Sequence, residues 1–216
     1  MLADNRDPRS VAARLRRRRS QLLRELLATV PRPARLLDIG GTQTWWDTIG
    51  AEGLRDITIV LLNPTAQQVT QPGFEAVVGD GRALAMPDRS FDVVFSNSVI
   101  EHVGDLADQQ RMAAEIQRVG RRYYVQTPNR WFPIEPHFVF PGFQFLPLAV
   151  RTELLMRFRL GWFPKIATRE EARRVASSIR LLTEPELRVL FPGGTLHRES
   201  FAGLTKSLIV VGGFGG

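Results

Sequence analysis

The groups that could move a proton near neutral pH are few. His102, His137 and His197 are the only histidines, and the 216 residues include no cysteine. His102 closes the run Ser96-Asn97-Ser98-Val99-Ile100-Glu101-His102. An imidazole there titrates close to neutrality and is the first candidate for a proton acceptor. A hydrogen-bonded structural histidine is the alternative. His137 comes next, with Glu135, in a segment where prolines on each side point to a fixed presentation; a buried loop histidine fits the same pattern. His197 falls within a strand-like stretch and reads as structural. Without thiolates, and with three scattered histidines, the pattern argues against a dedicated metal site.

A second set of candidates stands at the ends of aliphatic runs. Asp38 and Gly40-Gly41 follow RLLDI, and the glycines allow a tight turn and a close approach of ligand to backbone. The pattern is not GxGxxG, and the next aliphatic run ends in Leu61-Leu62-Asn63 without an acid. A nicotinamide dehydrogenase would have both features, so that class is disfavoured. Gly79-Asp80-Gly81-Arg82 ends the third run. A carboxylate beside a backbone amide can hold an adenine, Asp80 accepting from the exocyclic amine while a following N–H donates to a ring nitrogen.

These residues need elements to position them. Arg35–Ile39, Ile57–Leu62, Phe74–Val78, Phe91–Phe95 and Tyr123–Val125 are near-continuous aliphatic runs, each closed by a turn signal. Such runs suit parallel strands covered on both faces. Helical patterns lie between them, notably Asp105–Val119 with Leu106, Met112, Ile116 and Val119 on one side. The alternation predicts an α/β fold, a Rossmann-like doubly wound and mostly parallel sheet. Thr168 and Thr183 each precede a glutamate by three residues, as in capping boxes that open helices. Thr195–Ser200 and Lys206–Val211 read as strands five residues apart, too close for a crossover helix and therefore an antiparallel hairpin. Ahead of the sheet, residues 9–30 carry Val11, Leu15, Leu22, Leu26 and Val30 at helical spacing, stopped by Pro31 and Pro33. The expected organisation is an arginine-rich helix over 1–34 and a sheet domain over 35–216, with 128–165 as a loop or lid.

Taken in order, LLDIGG, GDGRALAMPDRSFDVVFSNSVIEHV and the terminal strand pair resemble the class I S-adenosylmethionine-dependent methyltransferases, in particular their small-molecule branch. The resemblance implies methyl transfer with S-adenosylmethionine as cofactor. It implies that Asp38, Gly40 and Gly41 hold the methionine end, and that Asp80, Gly81 and Arg82 frame the adenine. Asn97 and Ser98 would line the methyl-transfer pocket, with Glu101 and His102 close behind. The family's ribose acid matches a position near Leu61, so Asn63 is the nearest polar substitute. Thr42 and Thr44 replace later glycines of the first motif. A domain that kept the fold and lost turnover is compatible with those departures.

The segment Pro128–Pro147 has five prolines and six of the chain's 19 aromatics. Such a stretch is expected as a binding loop or lid. Trp131, Phe132, Phe138, Phe140, Phe143 and Phe145, extended by Met156–Phe163, favour an apolar, aromatic or lipid-like small-molecule acceptor. A wrap that buries its own aromatics is the alternative. The formal net charge is +7, and ten arginines against three acids within residues 1–35 account for all of it. A nucleic-acid-binding protein or RNA methyltransferase led by that helix is the competing reading. Only Arg130 interrupts the aromatic segment with positive charge, which argues against it. Peripheral contact with a membrane is compatible with the basic helix, and the oligomeric state is left open. No apolar stretch approaches ~20 residues, and MLADNRDPRS has no apolar signal core. A cytoplasmic protein is the default expectation.

Overall fold

The computed structural model describes residues 11–50 and 54–215, with side chains described for 17–47, 50 and 54–215. Five parallel strands form the first part of the sheet: β1 (Ala34–Ile39), β2 (Ile57–Asn63), β3 (Phe74–Val78), β4 (Val93–Asn97) and β5 (Tyr123–Pro128). Two short strands, β6 (Ile134–Glu135) and β7 (Phe140–Pro141), pair separately. β8 (Thr195–Phe201) and β9 (Leu204–Gly212) complete the main sheet, whose order is β3-β2-β1-β4-β5-β9-β8. β9 runs antiparallel to both β5 and β8. The α/β class and the terminal hairpin are as the sequence predicts. The hairpin turn is shorter than five residues: Ala202 and Gly203, both at positive φ, make a two-residue turn of the kind that matches strand twist.

Neighbouring residues of one strand serve opposite faces, which is why the aliphatic runs are continuous. Leu37, Ile39, Val60, Leu62, Val94 and Val125 pack under helix α3 (Leu106–Val119) and helix α6 (Glu184–Leu190). Leu36, Ile59, Leu61, Phe95 and Tyr124 pack on the other side. There they meet α1 (Val11–Ala28) and Trp46 of α2 (Gln43–Ile49). In α1, Leu23 and Leu27 are buried, each stabilising the packing by roughly 1.5–3 kcal/mol. The side chains of Val11 and Leu15 lie outside the described residues. Asp105 caps α3 with a reciprocal capping box, as does Thr183 for α6. Thr168 accepts from Glu171 N–H at the start of α5 (Arg169–Ser177).

The aromatic segment does not stay irregular. It forms β6 and β7, a short 3-10 turn at Phe143–Phe145, and then α4 (Leu148–Arg157). Phe138, Phe143, Leu155, Ile166, Ala172 and Val175 bury one another beneath α4 and α5. This second small core makes 129–178 a cap following the carboxyl end of β5. Pro141 sits at the end of a two-residue strand, so the prolines still exclude a central strand.

Candidate active site

In a doubly wound sheet, ligands bind beyond the carboxyl ends of the strands. Here β1 and β2 end side by side, and the turn after β1 is fixed to β2 by Gly40 N–H donating to the Leu62 carbonyl at 2.8 Å. Gly40 has φ +78° and sits against Val99. A Cβ on Gly41 would fall 1.6 Å from the Asp38 carboxylate, so only glycine leaves that carboxylate room. Asp38 is 1% exposed. Its Oδ2 accepts from the Trp46 indole at 2.7 Å, and its Oδ1 has no partner among the described residues. Burial lifts its pKa from 3.8 to about 7, against the opposing indole hydrogen bond.

Asn63 is the last residue of β2, whereas Leu61, near which the acidic position was expected, is buried in the core. The Asn63 amide donates to the Gly41 carbonyl at 2.8 Å, which leaves its Oδ1 as the remaining polar atom. Asp80 and Arg82 are tied to each other. Arg82 Nη2 donates to Asp80 at 2.6 Å, Nε reaches both oxygens at 3.0 Å, and the Arg82 backbone N–H adds a bond at 2.9 Å. Those hydrogen bonds lower the Asp80 pKa. An adenine amine would share this carboxylate with the guanidinium. Gly81 lies against Ile39, where a Cβ would come within 2.9 Å.

β4 ends in Asn97. Ser98 then turns the chain at φ +58°, a left-handed conformation that costs a serine about 1–3 kcal/mol. Gln126 of β5 holds that turn twice, through Ser98 N–H to its carbonyl at 2.9 Å and Ser98 Oγ to its side chain at 2.8 Å. The chain then winds through a 3-10 turn, Ile100–His102, whose Glu101 carbonyl accepts from Arg180 N–H. Glu101 is fully buried, with Oε2 accepting from Thr127 Oγ1 at 3.0 Å and Oε1 without a partner among the described residues. Burial raises its pKa to about 7. Burial, with the neighbouring His137 charge, drives that of His102 down to about 4. His102 is therefore neutral at pH 7 and a weak base.

The cap brings in the other candidates. Glu135 ends β6, and its Oε2 accepts from the backbone N–H of His137 at 2.7 Å and of Phe138 at 2.8 Å. Its Oε1 lies 2.7 Å from His137 Nδ1. Burial works against protonation of His137, but the Glu135 hydrogen bond and charge raise its pKa on balance. The His102 and His137 rings meet edge to face, centroids 4.8 Å apart. Two histidines 35 positions apart in sequence thus share one site with Glu101 and Glu135. His197 lies in β8, paired with Ile209 of the hairpin.

Some site residues carried no sequence signal. Arg19 of α1 donates to Asn97 Oδ1 at 3.2 Å and forms an ion pair at 3.0 Å with the buried Glu199 of β8. Helical spacing places Arg19 among four consecutive arginines and does not single it out. Trp46 and Thr127 likewise act through tertiary hydrogen bonds. Six aromatics were expected at the pocket. Of these, Phe132, Phe138 and Phe143 are buried within the cap, and Trp131 and Phe145 stack on each other, exposed. A groove of about 650 Å³ by Trp46, Ile57 and Phe74 lies beside the amino ends of β2 and β3, and none of the site histidines lines it.

Residues 40–122 match the family model described as a methyltransferase domain. Uncharacterized proteins from two strains of Mycobacterium tuberculosis are 33% identical over 183 residues, 77% of this chain. The match spans 58% of the length of those relatives. Among solved structures, the 1,6-didemethyltoxoflavin-N1-methyltransferase of Burkholderia thailandensis, solved with bound 1,6-didemethyltoxoflavin and S-adenosylhomocysteine, is 16% identical. It aligns over 91% of this chain and 76% of its own, with a TM-score of 0.55, a likeness of fold. An Anabaena variabilis protein from an antibiotic biosynthesis pathway, solved as a candidate methyltransferase, is 26% identical over 66% of this chain and 60% of its own, with a TM-score of 0.47.

Proposed function

From a chain that carries a class I methyltransferase domain, we propose that the activity is S-adenosylmethionine-dependent methyl transfer to a small acceptor with an apolar or aromatic body. The observation that carries this reading is the meeting of cap and sheet. The cap's Glu135–His137 pair stands against His102 and Glu101, which directly follow β4, beside the glycine turn after β1.

The residues present fit the cofactor. Asp38 Oδ1 is buried and unpartnered, a site for the cationic amine of an amino acid, and Gly40-Gly41 leave the backbone open beside it. Asn63 Oδ1 is available to a hydroxyl, and Gly81 with Asp80 and Arg82 stands beyond Ile39. S-adenosylmethionine, when bound, supplies an electrophilic methyl group whose leaving thioether needs no proton.

The chain's own task is then to orient the acceptor, exclude water and receive a proton if the acceptor bears one. Of the two histidines, His137 is the stronger proton acceptor, because Glu135 supports its charged form while burial weakens His102. This reverses the order in which the sequence ranks them. The exposed Trp131–Phe145 pair, with Phe158 and Trp162, supports an acceptor with apolar surface.

Calorimetry with S-adenosylhomocysteine tests the reading. Saturable heat is expected for the wild type, and at least tenfold weaker binding for Asp38→Ala. Absence of heat at high micromolar ligand would end the proposal. Transfer of a labelled methyl group to hydroxylated aromatic acceptors tests the second half.

A further inference from the structure

The ligating atoms of Glu101, His102 and His137 all lie within 4.8 Å of one another. Two of the three, Glu101 and His137, are held by residues outside the trio, and His102 packs edge to face on His137. Thr127 fixes one oxygen of Glu101, and the other, buried and without a partner among the described residues, is an acceptor left to be satisfied. Glu135 occupies His137 Nδ1, so Nε2 is the nitrogen left for a ligand. Carboxylates orient metal-bound imidazoles in this way. The backbone around His137 is pinned as well: Trp162 N–H donates to its carbonyl, and Gly161 packs so closely there that a Cβ would come within 2.3 Å.

We propose that Glu101, His102 and His137 form a binding site for one divalent first-row transition-metal ion, with Glu135 as the positioning residue for His137. Two imidazoles and one carboxylate suit such a cation better than magnesium or calcium, which prefer all-oxygen shells. Three protein ligands leave coordination positions open, as catalytic sites do. With bonds of about 2.0–2.2 Å, two ligands of one ion stand at most about 4.4 Å apart, and only when they face each other across it. The widest pair therefore has to close by at least roughly 0.4 Å on binding, and by more than ~1 Å in a tetrahedral site. Resting on the reading of this pocket as the acceptor side, an oxygen donor of the acceptor, a hydroxyl, takes an open position. An ion bound here occupies both imidazoles, so His137 serves as proton acceptor only in the metal-free protein. The spacing that argued against a metal site was that of the sequence, and the cap cancels it.

The experiment uses tag-free full-length protein stripped with a chelator, without cofactor or acceptor, so its outcome does not depend on methyl transfer. Titration with zinc and with manganese by calorimetry should give about one equivalent per chain. Glu101→Gln and His137→Ala should each weaken binding at least tenfold, and Glu135→Gln by about 10–100-fold. His197→Ala should leave it unchanged. Metal-dependent shifts in melting temperature, measured against each variant's metal-free value, separate lost binding from lost folding. Anomalous scattering from wild-type crystals grown with zinc locates the ion without any variant. No stoichiometric binding, an ion elsewhere, or affinity indifferent to these substitutions overturns the proposal. Failure of cofactor binding with the metal site intact would instead count against the methyltransferase reading alone.

Discussion

Asp38 combines a buried carboxyl, one hydrogen bond from Trp46 and one unpartnered oxygen, and its pKa near 7 makes it sensitive to both pH and ligand. Its folded pKa lies above the usual 3.8, so the neutral form is the favoured one in the free protein. The resulting stabilisation is fully present below pH 3.8 and is lost as pH rises through about 7. It amounts to at most about 4 kcal/mol. Melting temperatures of cofactor-free protein at pH 5 and pH 8 should differ less in Asp38→Asn than in the wild type; equal differences would remove the assignment. A cationic amine reverses the preference, because it favours the carboxylate. Affinity for S-adenosylhomocysteine should therefore rise several-fold from pH 6 to pH 8 in the wild type and stay flat in Asp38→Asn. Gly41→Ala tests the same space sterically. Its methyl group would displace the carboxylate, at a cost of about 1–3 kcal/mol and a large loss of cofactor affinity.

The elements differ in how openly the sequence declares them. β1 to β5 are visible because each is a continuous aliphatic run with a turn after it, and both faces of the sheet are covered. The positions of the glycine turn, Asp38 and Asp80 are legible for the same reason, since each stands at or just past the end of a strand. The cap is legible as a segment, 128–165, but its internal structure is not. Its strands are two residues long, and its aromatics signal burial without saying what buries them. The convergence of His102 with His137 depends on that cap, so no spacing rule reaches it. Arg19 is hidden differently: α1 shows a leucine stripe, but which arginine turns inward is decided by Glu199 at the far end of the chain. Arg19→Ala leaves the Glu199 carboxylate buried without its cation. Chemical denaturation should register a loss of roughly 3 kcal/mol, the low end for a broken buried pair because Arg19 is partly exposed. Arg18→Ala, at an exposed position, should stay within about 0.5 kcal/mol of the wild type. Similar losses at both positions would mean that α1 is not anchored through Arg19.

At the scale of the whole molecule, the charge asymmetry and the chemistry separate. The +7 belongs to the N-terminal segment, whose helix buries Leu23 and Leu27 in the core. No described helix is long and apolar enough to cross a membrane. Deleting α1 is therefore not a clean probe of anion binding, because it strips one face of the sheet. Arg17 and Arg18 are exposed, whereas Arg19 points toward Asn97. Replacing Arg18 by glutamine removes one surface charge and leaves the core untouched. Retention on heparin, a salt-dependent measure of general polyanion binding, should fall in this variant. Its melting temperature, its affinity for S-adenosylhomocysteine and its methyl transfer to small aromatic acceptors should be unchanged. A nucleic-acid substrate predicts the opposite pairing, with transfer falling in step with polyanion affinity and both declining steeply with salt. The inward turn of Arg19 and the aromatic cap favour the first outcome. That outcome would assign polyanion contact to the basic end and acceptor access to the cap.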